Sequence, residues 1–155
     1  MSAGSEVDIR WASAPADLPG ALRVREQVFC AEQGVPLSQE HDGLDENASH
    51  LVAVDAEAGE VIGTLRLLMG AGVARIGRVA VERDWRRRGI ASRMLALALE
   101  RARERGCDRA RLAAQLDATE LYELAGFAVE SEPFQEAGIA HVWMGRRLAG
   151  AERDG

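Results

Sequence analysis

The chain has 155 residues, 47% of them apolar and 28% charged, with a formal net charge of −6. That length suits one domain, expected to span residues 1–155 with its core over about 7–148, and that composition excludes a disordered or low-complexity chain. No run approaches the ~18 apolar residues of a membrane span, the N-terminus lacks a signal peptide's basic and apolar regions, and Cys30 and Cys107 lack metal-ligand spacing, so a reduced cytoplasmic protein is expected.

Val7–Trp11 alternates as a short strand does. Asp17 then opens a helix expected to reach residue 32, with Leu22, Val28 and Phe29 facing the core and Gly34 and Pro36 stopping it. Residues 34–49 form a polar loop carrying Glu40, His41, Asp42, Asp45 and Glu46, and such loops often carry function. From Glu32 to Glu60 there are eight acids and no Arg or Lys, which suits either a solvated face or a cationic acceptor such as an amine. His41 among these carboxylates offers a metal site as an alternative, but the mixed spacing and the lack of a second ligand set speak against it.

Residues 50–54 and 61–69 read as strands around a glycine-containing hairpin turn, and 73–82 as a third antiparallel strand after the turn at 70–72. A helix follows over 90–105, its apolar stripe formed by Met94, Leu95, Ala98, Leu99 and Ala102, and Gly106 ends it. Residues 109–114 give a strand that must run parallel to 73–82, because a helix separates the two. A short helix over 119–125, a strand from 127 and a last strand over 141–147 complete the chain, with residues 149–155 as a polar tail. The expected fold is α/β, with a mixed, mainly antiparallel sheet of six or seven strands flanked by helices.

All nineteen basic residues are arginine, and twelve lie between Arg75 and Arg111 against five acids. The densest stretch, Val79 to Ser92, passes from a β-prone run through Arg86, Arg87, Arg88 and Gly89 into the long helix at Ile90. A helix's first backbone N–H groups have no partner within it, and the dipole adds positive charge at that end. A glycine there lets an anion approach the backbone. The plainer reading is a solvated loop whose arginines pair with Glu82 and Asp84.

The spacing Arg86-x-x-Gly89-x-Ala91 after Arg78-Val79-Ala80-Val81 resembles the acetyl-CoA signature of the GCN5-related N-acetyltransferases. Leu121-Tyr122-Glu123-Leu124-Ala125-Gly126-Phe127 is similar to a second segment of that family, and the resemblance covers about residues 20–148. The run Phe29 to Pro36, with Glu40-x-Asp42 and Asp45-x-x-Ala48-x-His50, resembles a bacterial subgroup, the ElaA-like acyltransferases. The family implies two parallel strands that splay apart, with the pantetheine arm along Val79, Ala80 and Val81. A backbone N–H there would polarise the thioester. The pyrophosphate would sit on Arg87 to Ser92, with Gly89 and Ala91 small for close approach.

Tyr122, the only tyrosine, falls on the family's general-acid position; its plainer role is core packing. The asparagine that many members carry shortly before it is missing, since Leu116 and Asp117 stand there, and Gln115 is the candidate substitute for that cofactor contact. Glu32, Asp45, His50 and His141 are candidate bases or acceptor-site groups, His141 foremost because it matches the subgroup pattern, although structural hydrogen bonding would explain each.

The resemblance implies an enzyme that moves an acetyl group from acetyl-CoA to a primary amine, with a small-molecule acceptor, no metal and direct transfer. Cysteine-based ping-pong chemistry is disfavoured because neither cysteine has a basic neighbour in sequence. A non-catalytic acyl-CoA-sensing domain of the same fold is the alternative. Nucleic-acid binding is not expected of an acidic chain whose helical arginines pair with Glu100 and Glu104, nor is membrane binding; a homodimer through terminal strands is open.

Overall fold

The computed structural model describes residues 6–148. The expected tail at 149–155 and most of the N-terminal six residues lie outside the described residues. Contacts group the chain into two compact units: residues 1–66 with 78–94, and residues 67–77 with 95–155. In chain order the elements are β1 (Val7–Trp11), α1 (Asp17–Arg25), α2 (Leu37–Glu40), β2 (Ser49–Asp55), β3 (Glu60–Gly70), β4 (Val73–Val81), α3 (Ile90–Glu104), β5 (Arg109–Gln115), α4 (Thr119–Leu124), β6 (Ala128–Val129), β7 (Phe134–Glu136) and β8 (Ile139–Arg147). The sheet is mixed and mostly antiparallel, with eight strands and one parallel pair, as expected but with one strand more.

In the first unit the strand order is β1-β2-β3-β4, and β1 pairs antiparallel with β2 from Val7↔Asp55 to Trp11↔Leu51. The predicted helix over 17–32 is two structures: α1 ends at Arg25 and continues as a wider π-helical turn, Glu26–Glu32. The inward face agrees with the expected one at Val28 but not at Leu22 and Phe29. Ala21, Val24 and Val28 are the buried positions, packed with Val52, Val54, Val61 and Ala80; Phe29 is only partly buried and Leu22 lies outside the cluster. Asp17 does not cap forward into α1. Its carboxylate accepts the Ser13 and Ala14 backbone N–H groups, both at 3.0 Å, and pairs with Arg10. Those N–H bonds, with Arg10 beside them, outweigh burial and hold its pKa below the ordinary carboxylate value.

In the second unit the order is β3-β4-β5-β8-β6, with β7 on β8. The parallel ladder between β4 and β5 is three pairs long, from Val73↔Arg109 to Arg75↔Arg111, although β4 runs on to Val81. The antiparallel β5–β8 ladder is longer, from Arg109↔Arg147 to Gln115↔His141. Buried Leu95, Ala98, Leu99 and Ala102 confirm the expected stripe of α3. The strand missing from the sequence reading is β7, which forms a hairpin with β8 at Glu136↔Ile139. Its two-residue turn places Ala137 at φ 54° and Gly138 at φ 78°. A turn with two left-handed residues usually announces itself by Asn-Gly or Asp-Gly, and alanine in the first position concealed it.

Candidate active site

β4 ends at Val81, a single 3-10 turn spans Arg83–Trp85, and α3 starts at Ile90. Between them Arg87 has φ 65° and Gly89 φ 77°. A β-carbon built on Gly89 would meet nothing within 4 Å, so the space over this turn is open. The first i→i−4 bond of α3 runs from Arg93 N–H to the Gly89 carbonyl at 3.0 Å. The N–H groups of Ile90, Ala91 and Ser92 therefore precede the helix's own ladder, the arrangement an anion needs.

The three turn arginines do not act alike. Arg86 donates from Nε to the Val81 carbonyl at 2.7 Å and from Nη2 to Glu32 Oε1 at 2.9 Å. Arg88 lies over the Trp85 ring at 4.8 Å and donates to the Asp84 carbonyl. Neither makes the side-chain pair with Glu82 or Asp84 that a solvated loop would predict; Arg87 is exposed. Arg86 thus ties the end of β4 to the π-helical turn. Glu32, read as an acceptor-site carboxylate, serves here as the partner of Arg86, with Arg83 3.8 Å away.

The acidic loop is also occupied by the chain's own arginines. Arg25 donates from Nε to Glu40 Oε2 at 2.7 Å and from both terminal nitrogens to Asp45. Arg66 donates to Asp45 at 3.1 Å and twice to Asp42 at 2.8 Å. Arg78 closes the circuit, donating to Asp42 at 3.1 Å and to Glu40 Oε2 at 3.0 Å. The result is a closed ring of three arginines alternating with three carboxylates, in which the Arg25 and Glu40 side chains are each 1% exposed. Hydrogen bonds from Arg66 hold the Asp42 carboxyl far below its ordinary range. Burial pushes Asp45 up, but Arg25 and Arg66 outweigh it and its pKa is lowered. The loop's acids are therefore largely neutralised within the chain. His41 sits 3.4 Å from Glu26 and 3.6 Å from Glu40 Oε1, a buried oxygen without a hydrogen bond.

His50 is buried in β2, with Nε2 3.1 Å from the Asp45 carbonyl and Nδ1 buried without a partner. It braces the loop that carries the ring, an anchoring role that sequence spacing alone left open.

The second unit holds the remaining candidates. Gln115 ends β5 opposite His141 of β8. His141 Nδ1 lies 2.7 Å from the Ile139 carbonyl. A carbonyl only accepts, so Nδ1 carries the proton and Nε2 the lone pair of the neutral ring. Phe134 stacks between His141 and Trp143, with centroids at 5.9 and 5.6 Å, and Arg111 covers Trp143 at 4.6 Å. Phe134, Trp143 and Arg111 were not singled out in the sequence; the unrecognised β7 brings Phe134 to this face.

Tyr122, on α4, is 7% exposed and meets Phe127 edge-on at 6.2 Å. Burial pushes its phenol up to about 12, so it keeps its proton across the neutral range. Burial also raises both thiols, Cys30 further through Glu40 and Glu26 and Cys107 further through Asp108, so neither is poised as a thiolate.

This sheet, with its short parallel pair and the turn between β4 and α3, has the α/β architecture of an acyltransferase. The chain belongs to the acetyltransferase (GNAT) family, whose model matches residues 18–127. It is 34% identical over 128 residues to the uncharacterised N-acetyltransferase YjcF of Bacillus subtilis, covering 82% of this chain and 90% of that one. An acyl-CoA N-acyltransferase from Pseudomonas aeruginosa superimposes with a TM-score of 0.80 at 30% identity, over 91% of this chain and 99% of that one. Escherichia coli ElaA shares the fold with a TM-score of 0.80 at 24% identity, over 91% and 99% of the two chains. No helix among the described residues is long and apolar enough to cross a membrane.

Proposed function

We propose that the protein transfers an acetyl group from acetyl-CoA directly to a primary amine of a small cytoplasmic acceptor. The observation that carries this reading is the turn after β4, where Gly89 at φ 77° opens the approach to the first N–H groups of α3. There the pyrophosphate would be held by the backbone of Arg87, Arg88, Gly89, Ile90, Ala91 and Ser92. Arg86 would hold the end of β4 in place through Val81. The pantetheine arm would run along Val79, Ala80 and Val81 and add a strand-like partner to β4, with Gln115 a further contact.

In the reaction the amine lone pair attacks the thioester carbonyl carbon, forming C–N, and the C–S bond breaks with its electrons going to sulfur. A backbone N–H of the 79–81 segment would stabilise the developing oxyanion. Tyr122 holds a proton at neutral pH and is the donor to the departing thiolate. The amine's surplus proton passes to a base and on to the phenolate, so Tyr122 is restored and the products are amide and free thiol. His141, through Nε2, is the acceptor-site group that could take that proton.

Thiol release with a panel of amines tests the reading. Tyr122→Phe should lower kcat by about 10²–10⁴-fold with acetyl-CoA affinity retained. Turnover unchanged by that substitution would remove Tyr122 from the mechanism, and a protein that binds acetyl-CoA but turns over no amine would be a sensor.

A further inference from the structure

Arg78 lies in the middle of β4 at φ 52°. A residue with a β-carbon is strained in that left-handed conformation, which persists only where the surroundings impose it. A strand bends at such a point, and the residues immediately after the bend are Val79, Ala80 and Val81. The surroundings here are specific. The Arg78 guanidinium donates to Glu40 Oε2 at 3.0 Å, to the Glu40 carbonyl at 2.9 Å, to the Gln39 carbonyl at 3.4 Å and to Asp42 at 3.1 Å. Glu40 is itself clamped from the other side by Arg25 at 2.7 Å, and its side chain is 1% exposed. A fully buried carboxylate that two arginines share has little freedom to shift, so it fixes the end of the Arg78 side chain and, through it, the backbone.

We propose that Glu40 is a positioning residue: through Arg78 it holds the left-handed bend in β4 and so sets the backbone of Val79 to Val81 for the acyl-carrying arm. This rests on the reading that acetyl-CoA docks along that segment. It gives the acidic loop a purpose other than acceptor attraction. It also separates two parts of donor binding: the turn at Gly89 grips the phosphates, and the ring shapes the strand that receives the pantetheine.

The test is calorimetry with two probes, acetyl-CoA and adenosine 3′-phosphate 5′-diphosphate, which carries the phosphates but lacks the pantetheine. Glu40→Gln should weaken acetyl-CoA by about tenfold and leave the phosphate-only probe within about threefold. In the Glu40→Gln background, Arg78→Gly should restore most of the acetyl-CoA affinity, because glycine takes a left-handed conformation without steric cost. Arg78→Ala in the same background removes the same charge and should restore nothing. Should Glu40→Gln fail to melt cooperatively, single Arg78→Gly and Arg78→Ala variants give the same contrast with Glu40 intact.

Equal affinities for the glycine and alanine variants, or equal weakening of both probes, would overturn the positioning role. Wild-type protein that binds neither probe would instead overturn the functional reading, so the two failures are distinguishable.

Discussion

Two arginine triads in the first unit meet opposite environments. Arg25, Arg66 and Arg78 alternate with Glu40, Asp42 and Asp45 in a closed ring, with side-chain exposures of 1%, 7% and 19%. Arg86, Arg87 and Arg88 are exposed, with Arg86 tied to a backbone carbonyl and one carboxylate and Arg88 to a backbone carbonyl and an aromatic face. In the ring every charge faces an opposite one, so it presents no net charge to a ligand. At the turn the arginines secure the backbone, and the groups left for an anion are N–H donors. The same side chain therefore closes a buried charge network in one place and, in the other, holds an exposed turn with a single carboxylate partner.

The sharpest way to break the contrast is to open the ring. Arg25→Ala leaves Glu40 and Asp45 without their shared partner, and removing one member of a buried ion pair costs about 3–5 kcal/mol. A fall in melting temperature of roughly 10 °C is expected, and a shift of only a degree or two would show that the ring contributes no stability. At the turn, Gly89→Asp should act on the ligand instead. It brings a negative charge and a β-carbon to a left-handed position with open space around it. Acetyl-CoA affinity should fall by about ten- to a hundredfold, read by calorimetry, with a stability cost near the ~1–2 kcal/mol of a strained non-glycine residue.

Acid separates the two regions further. The carboxyls of Asp42 and Asp45 titrate below their ordinary range. Groups with lowered folded-state pKa values contribute stability that is complete above the unfolded value of ~3.9 and is lost as pH falls through the folded one. Urea midpoints should therefore hold from neutrality to about pH 5 and decline below it, and Asp42→Asn with Asp45→Asn should flatten that decline. The smallest effect is expected for Arg86→Ala. Its ion pair with Glu32 is 38% exposed on the arginine side, so the loss should stay within about 1 kcal/mol. A loss as large as that of Arg25→Ala would erase the distinction.

Much of the architecture was legible because it rests on local pattern. Alternation marked β1 and β5, a glycine-containing turn between apolar runs marked β2 and β3, the 3.6-residue stripe marked α3, and the strand–helix–strand order required β5 to run parallel to β4. The π-helical continuation of α1 was not legible, since the same residues suit an ordinary helix and the wider turn comes with tertiary packing. β7 was missed because it is three residues long and the Ala137-Gly138 turn after it lacks the usual turn chemistry. With it went the stacking of Phe134 on His141 and Trp143.

The candidate site divides in the same way. Motif spacing located Gly89, the start of α3 and Tyr122, because each depends on a local sequence: strand, glycine turn and helix, or a buried aromatic on a short helix. The partners of Glu32, Glu40, Asp42, Asp45 and His50 were invisible, because an ion pair between residues 25 and 40, or 42 and 66, leaves no periodic trace.

The sequence by itself determined the fold class, the order of the longer strands and of α3, and the candidate turn where an anion could meet the backbone. Only the tertiary structure decided which charges are paired within the molecule, and that Arg78 takes a left-handed conformation inside β4. The physical reason is range. Hydrogen bonding along a strand or helix is settled by neighbours in the chain, whereas the fate of a charge depends on what the fold brings within about 3 Å of it.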